Sequence, residues 1–323
     1  MDEPRLKRRR TDDSGATRTP VTRSAEYWFD DGNIILQVES TQFRLTKSML
    51  SMHSSVFRDM FMVPLPPDEP TIENCPVVVL SDTAQDWIHL LGAMYPKFFL
   101  EVARPPTVEL IAGILRLSKK YDIPLFREDC FHRLRMQFPS TLAEYDSISG
   151  RTLLKEEPHM LIPLVSLARE FDQISILPLI FYSIVVTESD KYMFKVMNDL
   201  DLSFRPADRL ACLQGYVRLL DLQSLISMSW IDKDNGYIPA RSCPRYQACL
   251  MALKDIIYNM SRGQRPEIFI LGQWIAEWEV GLCDACRSKA RKIFEDARQA
   301  CWNELPGVFG LPAWEDLKSL DFE

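Results

Sequence analysis

Apolar and polar positions begin to alternate at Tyr27. Ile34, Leu36 and Val38 take one set of positions, and Ile35, Gln37 and Glu39 take the other. This period of two predicts a strand, and Ser40-Thr41 turns it back into a second one from Gln42 to Leu45, giving a β-hairpin. Two short helical pieces follow, Thr46 to Leu50 and Ser54 to Phe61, the latter with Val56, Phe57, Met60 and Phe61 on one face. A proline-rich loop, Pro64 to Pro70, leads to a strand over Val77 to Leu80. Three amphipathic helices come next, punctuated by prolines that stop helix propagation. Asp82 or Thr83 can cap the first, which puts Trp87, Leu90, Leu91 and Met94 on one face. Thr107 can cap the second, with Leu110, Ile111, Ile114, Leu115 and Leu117. The third runs from about Leu125 to Phe138 and repeats apolar groups at Phe126, Cys130, Leu134 and Phe138.

After Pro139 the period changes to helical, at about 158–171, 173–187, 206–228, 244–260, 266–282 and 284–303. No repeat of 30 to 50 residues recurs, which argues against a propeller or solenoid. The pattern predicts an α+β fold: a small sheet packed on helices over 26–138, then an all-α domain over 139–323. A length of 323 residues suits two such domains.

Residues 1–25 are rich in Arg, Asp, Ser, Thr and Pro, with little to bury, and are expected to be a disordered basic tail. They hold seven Lys/Arg against four Asp/Glu, whereas residues 26–323 hold 31 against 41. An acidic body argues against a nucleic-acid grip by the folded part, because phosphate binding needs a clustered basic face. Lys7, Arg8, Arg9 and Arg10 form a run that suits a nuclear import signal or a solvating tail. The apolar run Ile174 to Val186 is broken by Pro178 and Ser183 and is too short for the roughly 20 residues that span a bilayer, so no membrane role is expected.

No catalytic constellation is recognisable. His53, His89, His132 and His159 stand outside any nucleophile motif, and there is no phosphate-cradling glycine loop, so a non-enzymatic role is expected. Trp274 and Trp278, four apart in the 266–282 pattern, read as core residues. Eight cysteines without an apolar leader imply reduced thiols in cytoplasm or nucleus. Cys283 and Cys286 form a C-x-x-C at a helix start, and Cys243 and Cys249 lie at another. Three readings stand together for these four: a structural Zn²⁺ site stapling two helices, core packing as small hydrophobes, and a redox pair.

The stretch NIILQVESTQFRLTKSMLSMHSSVFRDMF (33–61) resembles the hallmark of the BTB/POZ domain, and the Leu-Leu-x-x-Met-Tyr helix at 90–95 and LRLSKKYDIPLFREDCFHRL (115–134) resemble its later landmarks. The plain helical remainder, with LCDAC and LPGVFGLPAW near its end, resembles BTB proteins that lack kelch repeats and zinc fingers. The resemblance implies a protein-interaction adaptor or scaffold that forms homodimers through the BTB domain. A nuclear transcriptional or chromatin regulator is the alternative, and a cullin-type ubiquitin-ligase adaptor a lesser one. Two departures bear on partners. Asn33 stands where many members have Asp, and Thr46-Lys47 where they have His and a basic residue, so the charged pocket of the dimer surface lacks its ion pair. The loop Leu65-Pro66-Pro67-Asp68-Glu69 replaces the hydrophobic-x-Glu anchor of cullin binders.

Overall fold

The computed structural model describes residues 20–64, 71–95, 105–148, 153–157, 160–187, 204–224, 229–231, 237–261 and 268–321. The chain divides into two compact units, Met1–Lys97 with Gly113–Phe126, and Phe98–Ala112 with Arg127–Glu323.

In the first unit, strands β1 (Thr22–Trp28), β2 (Ile34–Val38), β3 (Thr41–Leu45), β4 (Thr71–Ile72) and β5 (Cys75–Leu80) form one sheet in the order β1-β3-β2-β5-β4. The expected hairpin is β2–β3, antiparallel, with Ile34 opposite Leu45 and Val38 opposite Thr41. Its turn sets Glu39 at φ 50°, a left-handed conformation. β2 also pairs in parallel with β5, Ile35 beside Val77. A strand in a parallel pair is usually covered on both faces, and Ile34, Ile35, Leu36 and Val38 are all buried. β1 starts at Thr22, inside the tail expected to be disordered, and pairs in parallel with β3. Apart from Tyr27 its side chains are not buried, so backbone pairing holds it, and composition carries no sign of that.

Helices α1 (Lys47–His53), α2 (Ser55–Met62) and α3 (Ala84–Met94) follow the predicted positions. The Ser54 hydroxyl accepts from the Phe57 N–H at the start of α2 and donates to the Tyr121 carbonyl, 2.5 Å away. Thr83 caps α3 by accepting from the Asp86 N–H. On α2 only Phe57 is fully buried, and Val56, expected on the same face, is exposed. Phe57 stacks on Tyr121 with centroids 4.7 Å apart and meets the edge of Trp87 at 5.8 Å. α4 (Val108–Lys120) approaches α3 at Gly113, where a Cβ would lie 2.7 Å from an Asp86 carboxylate oxygen. Arg116 of α4 holds that carboxylate through two guanidinium N–H groups. Asp82, before α3, accepts from Lys120, from the Tyr121 hydroxyl and from the Trp87 indole N–H at 3.0 Å. Burial alone would raise its pKa, but these donors outweigh burial and hold the carboxyl below its ordinary value.

The second unit contains α5 (Pro124–Gln137) from Arg127 on, α6 (Leu142–Ser147), α7 (Leu161–Glu170), α8 (Leu177–Thr187), α9 (Pro206–Leu222), α10 (Tyr246–Ser261), α11 (Asp284–Val308) and α12 (Trp314–Leu320). α11 buries Cys286, Ala290, Phe294, Ala297, Cys301 and Leu305, spaced three or four residues apart. The LPGVFGLPAW tail ends this helix. Gly310 turns the chain at φ 70°, and the Trp314 indole donates to the Trp302 carbonyl at 2.8 Å while the two rings stack. Arg298, buried in α11, grips Asp146 and also donates to the Leu271 carbonyl.

The helix expected over 266–282 is corrected. Residues 268–283 form irregular backbone with one 3₁₀ turn, Ala276–Glu279. The four-residue spacing of Trp274 and Trp278 imitates a helical face. The rings instead converge at 5.3 Å, against Trp230 and Phe294. The expectation that they are core residues fits Trp278, which is buried, and Trp274, which is half-buried.

Truncating Phe57 to Ala is expected to destabilise the first unit by roughly 3–5 kcal/mol as a large-to-small core change, read by denaturant unfolding. An unaltered midpoint would contradict this placement of the core. Asp82→Asn is expected to cost roughly 1–3 kcal/mol near neutral pH. Because the folded-state pKa of Asp82 is depressed, its contribution is complete above about pH 4 and fades as pH falls through the lowered value. The gap between wild type and variant should therefore narrow in acid, and a gap independent of pH would rule out a charged Asp82.

Candidate metal centre and interaction surface

Two places in the fold bring function-bearing residues together, one in each unit. In the second, the Sγ atoms of Cys243, Cys249, Cys283 and Cys286 all lie within 4.8 Å of one another. Four thiolates bound to one ion at about 2.3 Å stand about 3.8 Å apart at the corners of a tetrahedron. Cys243 and Cys283 are 3.6 Å apart, and none of the four is in a disulfide. The cluster can hold a metal ion.

Local structure explains the convergence. Cys243 sits in a turn closed by its own N–H to the Ala240 carbonyl, and Cys249 lies in the first turn of α10, so the five-residue gap is spanned by that turn. Cys283 is the N-cap of α11 and Cys286 lies in its first turn. Two backbone amides cross from one cysteine pair to sulfur of the other: Ala240 N–H donates to Cys286 at 3.2 Å, and Cys283 N–H donates to Cys249 at 3.3 Å. Amides aimed at sulfur favour thiolate over thiol and orient it for an ion. The Cys286 backbone N–H, with the neighbouring thiols, brings Cys283 down to about 7 against the opposing effect of burial. Burial pushes Cys249 and Cys286 up. Cys130 and Cys301, packed as apolar groups elsewhere, are raised by burial to about 12 and about 11. Cys249, Cys283 and Cys286 are buried and Cys243 half-buried, and their surroundings are those of one apolar cluster.

In the first unit, Asn33 and Lys47 do meet. The Lys47 backbone N–H donates to the Asn33 side-chain oxygen at 2.8 Å, supplying α1 with a cap that Thr46 does not provide. A neutral amide thus serves locally where an ion pair is absent, while Lys47 Nζ lies over the Phe61 ring. α1, α2 and the residue after α2 expose the apolar side chains Met52, Val56, Met62 and Val63, which are suited to association. Sequence periodicity missed this surface, because it assigned Val56 to the core; projecting α1 and α2 about Leu50 and Phe57 would have marked Met52 and Met62 as outward. Lys7, Arg8, Arg9, Arg10 and the loop 65–69 lie outside the described residues.

The remaining histidines are scattered. His53 packs on the Phe126 ring and His89 hydrogen-bonds Gln85, while His159 lies outside the described residues. His132 lines a cavity of about 480 Å³ together with Arg135, Glu144, Ser175 and Asp321. Asp321 there accepts from the Ser175 amide and hydroxyl and faces Arg135 at 3.6 Å, so these polar groups serve one another. No helix of the described residues is long and apolar enough to cross a membrane.

Residues 29–137 match the family model of the BTB/POZ domain. No curated protein matches the chain.

The approach to Cys283 depends on Gly281, which has φ 81° and whose added Cβ would stand 2.8 Å from the Ala252 side chain of α10. Gly281→Ala is expected to lower stability by roughly 1–3 kcal/mol through backbone strain. Thermal unfolding checks this, and an unshifted midpoint would show that the turn relaxes freely.

Proposed function

With a BTB/POZ domain over residues 29–137 as the premise, we propose that the protein is a non-enzymatic adaptor: the BTB unit self-associates and the helical unit presents a second binding surface. The domain supports protein interaction in general. The observation that carries self-association is the exposure of the apolar side chains Met52, Val56 and Met62 on α1 and α2 and of Val63 just after α2. Loss of the family's ion pair is no obstacle, because buried pairs often add little net stability over apolar contact. The fold around the four cysteines supports a structural ion in this reading, with zinc favoured by an all-sulfur, four-ligand set that leaves no position for a substrate. Residence in the nucleus, the cytoplasm or both belongs to the same proposal and rests on Lys7, Arg8, Arg9 and Arg10 together with the unbridged cysteines.

Light scattering at tens of micromolar, roughly the range where moderate protein associations are populated, is expected to give a dimer. Val56→Glu with Met62→Glu is expected to give a folded monomer, since both side chains are exposed in the single chain, with a melting temperature lowered only by the lost association and no longer dependent on concentration. A wild-type monomer at that concentration would defeat the self-association.

A further inference from the structure

We propose that zinc at Cys243, Cys249, Cys283 and Cys286 is what folds the tryptophan core of the second unit, by closing residues 237–261 onto residues 268–294. The inference rests on reading the cluster as a zinc site and adds what the ion does there.

Three observations carry it. First, sulfur and indole belong to one buried cluster: Cys249, Cys283 and Cys286 pack together with Trp230, Trp278, Leu253, Leu282, Ala290 and Phe294, and Trp274 and Cys243 flank them. Loss of order at the sulfurs is therefore loss of order at the rings. Second, the two stretches meet through sulfur. The Ala240 and Cys283 amides cross from one stretch to the other, and each ends on a cysteine of the opposite one. An amide–thiol hydrogen bond is weak, and an amide–thiolate bond becomes strong only if a cation compensates the gathered charge. Third, residues 268–283 lack a regular hydrogen-bonded element apart from one 3₁₀ turn, yet they carry Trp274, Trp278 and Leu282 into the cluster. A stretch held by isolated turns and side-chain contacts, without a helix or sheet ladder, has to recover its conformational entropy from few contacts, which is the situation in which a bound metal decides folding.

The arrangement also limits what happens when the ion leaves. Four neutral thiols within 4.8 Å can still pack, but they supply only weak donors and acceptors. Four thiolates without an ion would repel one another in an apolar surrounding. Neither state replaces four bonds to one centre. The first unit contains none of these cysteines and buries its own β2 and α3 residues, so its fold does not depend on the ion.

The test uses the full chain purified without added metal. Elemental analysis is expected to give one zinc per chain, and cobalt replacement to give the sulfur-to-metal absorption of a tetrahedral thiolate site. Hydrogen exchange is then compared before and after removal of zinc with a high-affinity chelator. Amides in α10 and in 284–294 are expected to exchange at least about tenfold faster in the stripped protein, a small part of what a structural zinc ion contributes to folding. Amides in β2 and α3 are expected to be unchanged, and returning zinc is expected to restore protection. Absence of any bound metal, with no uptake of cobalt, would overturn the zinc reading itself. One zinc per chain whose removal leaves exchange in 284–294 unaltered would overturn only the folding role, and so would an equal loss of protection in β2 and α3. Cys283→Ser with Cys286→Ser should reproduce the stripped state; if that variant is insoluble, chelation of the wild-type chain still decides.

Discussion

Parallel pairing between β2 and β5 is the constraint on which the first unit depends. Antiparallel neighbours can be joined by a two-residue turn, as β2 and β3 are at Glu39 and Ser40, but parallel neighbours need a crossover. Here the chain passes through β3, α1 and α2 before it returns as β5. That detour places Phe57 against the rings of Trp87 and Tyr121, and it leaves residues of α1 and α2 such as Met52 and Met62 exposed. The exposed apolar surface and the buried core thus have a single topological origin. The same pairing makes β2 apolar on both faces, which is why Ile35 is as buried as Ile34.

Where side-chain pattern and local turn chemistry acted together, the sequence was readable. The β2–β3 hairpin, the Thr83 cap and the buried face Trp87, Leu90, Leu91 and Met94 were all visible in the spacing of residues. Two kinds of element escaped. β1 and the two-residue β4 are held by backbone pairing, and residues such as Thr22, Arg23 and Ser24 carry no apolar signal for it. The 266–282 segment failed in the opposite way, because tryptophans four apart satisfy a helical period while their rings are gathered by Trp230 and Phe294 instead. Periodicity reports which side chains want burial, and it does not report which backbone brings them there.

The four cysteines were legible as a set but not as a geometry. Their spacing left zinc, packing and redox chemistry open, since Cys243 and Cys249 are too far apart in sequence for a tight knuckle. Folding removes that difficulty by placing the gap across the entry to α10, and it adds two amides aimed at sulfur that no motif encodes. The outward residues Met52 and Met62 escaped for a different reason: Val56 was set on the inner face of α2 with Phe57, whereas Leu50 and Phe57 alone are buried and fix which side is inward.

The distribution of the cysteines along the chain also bears on the order of events during synthesis. Cys249 and Cys286 are 37 residues apart, an interval that takes roughly two to seven seconds to translate at ordinary elongation rates. Throughout that interval the first pair of thiols is present without its complement, while the whole first unit, which ends at Phe126, has already been made. The first unit can therefore begin to fold before any of the four thiols has been made.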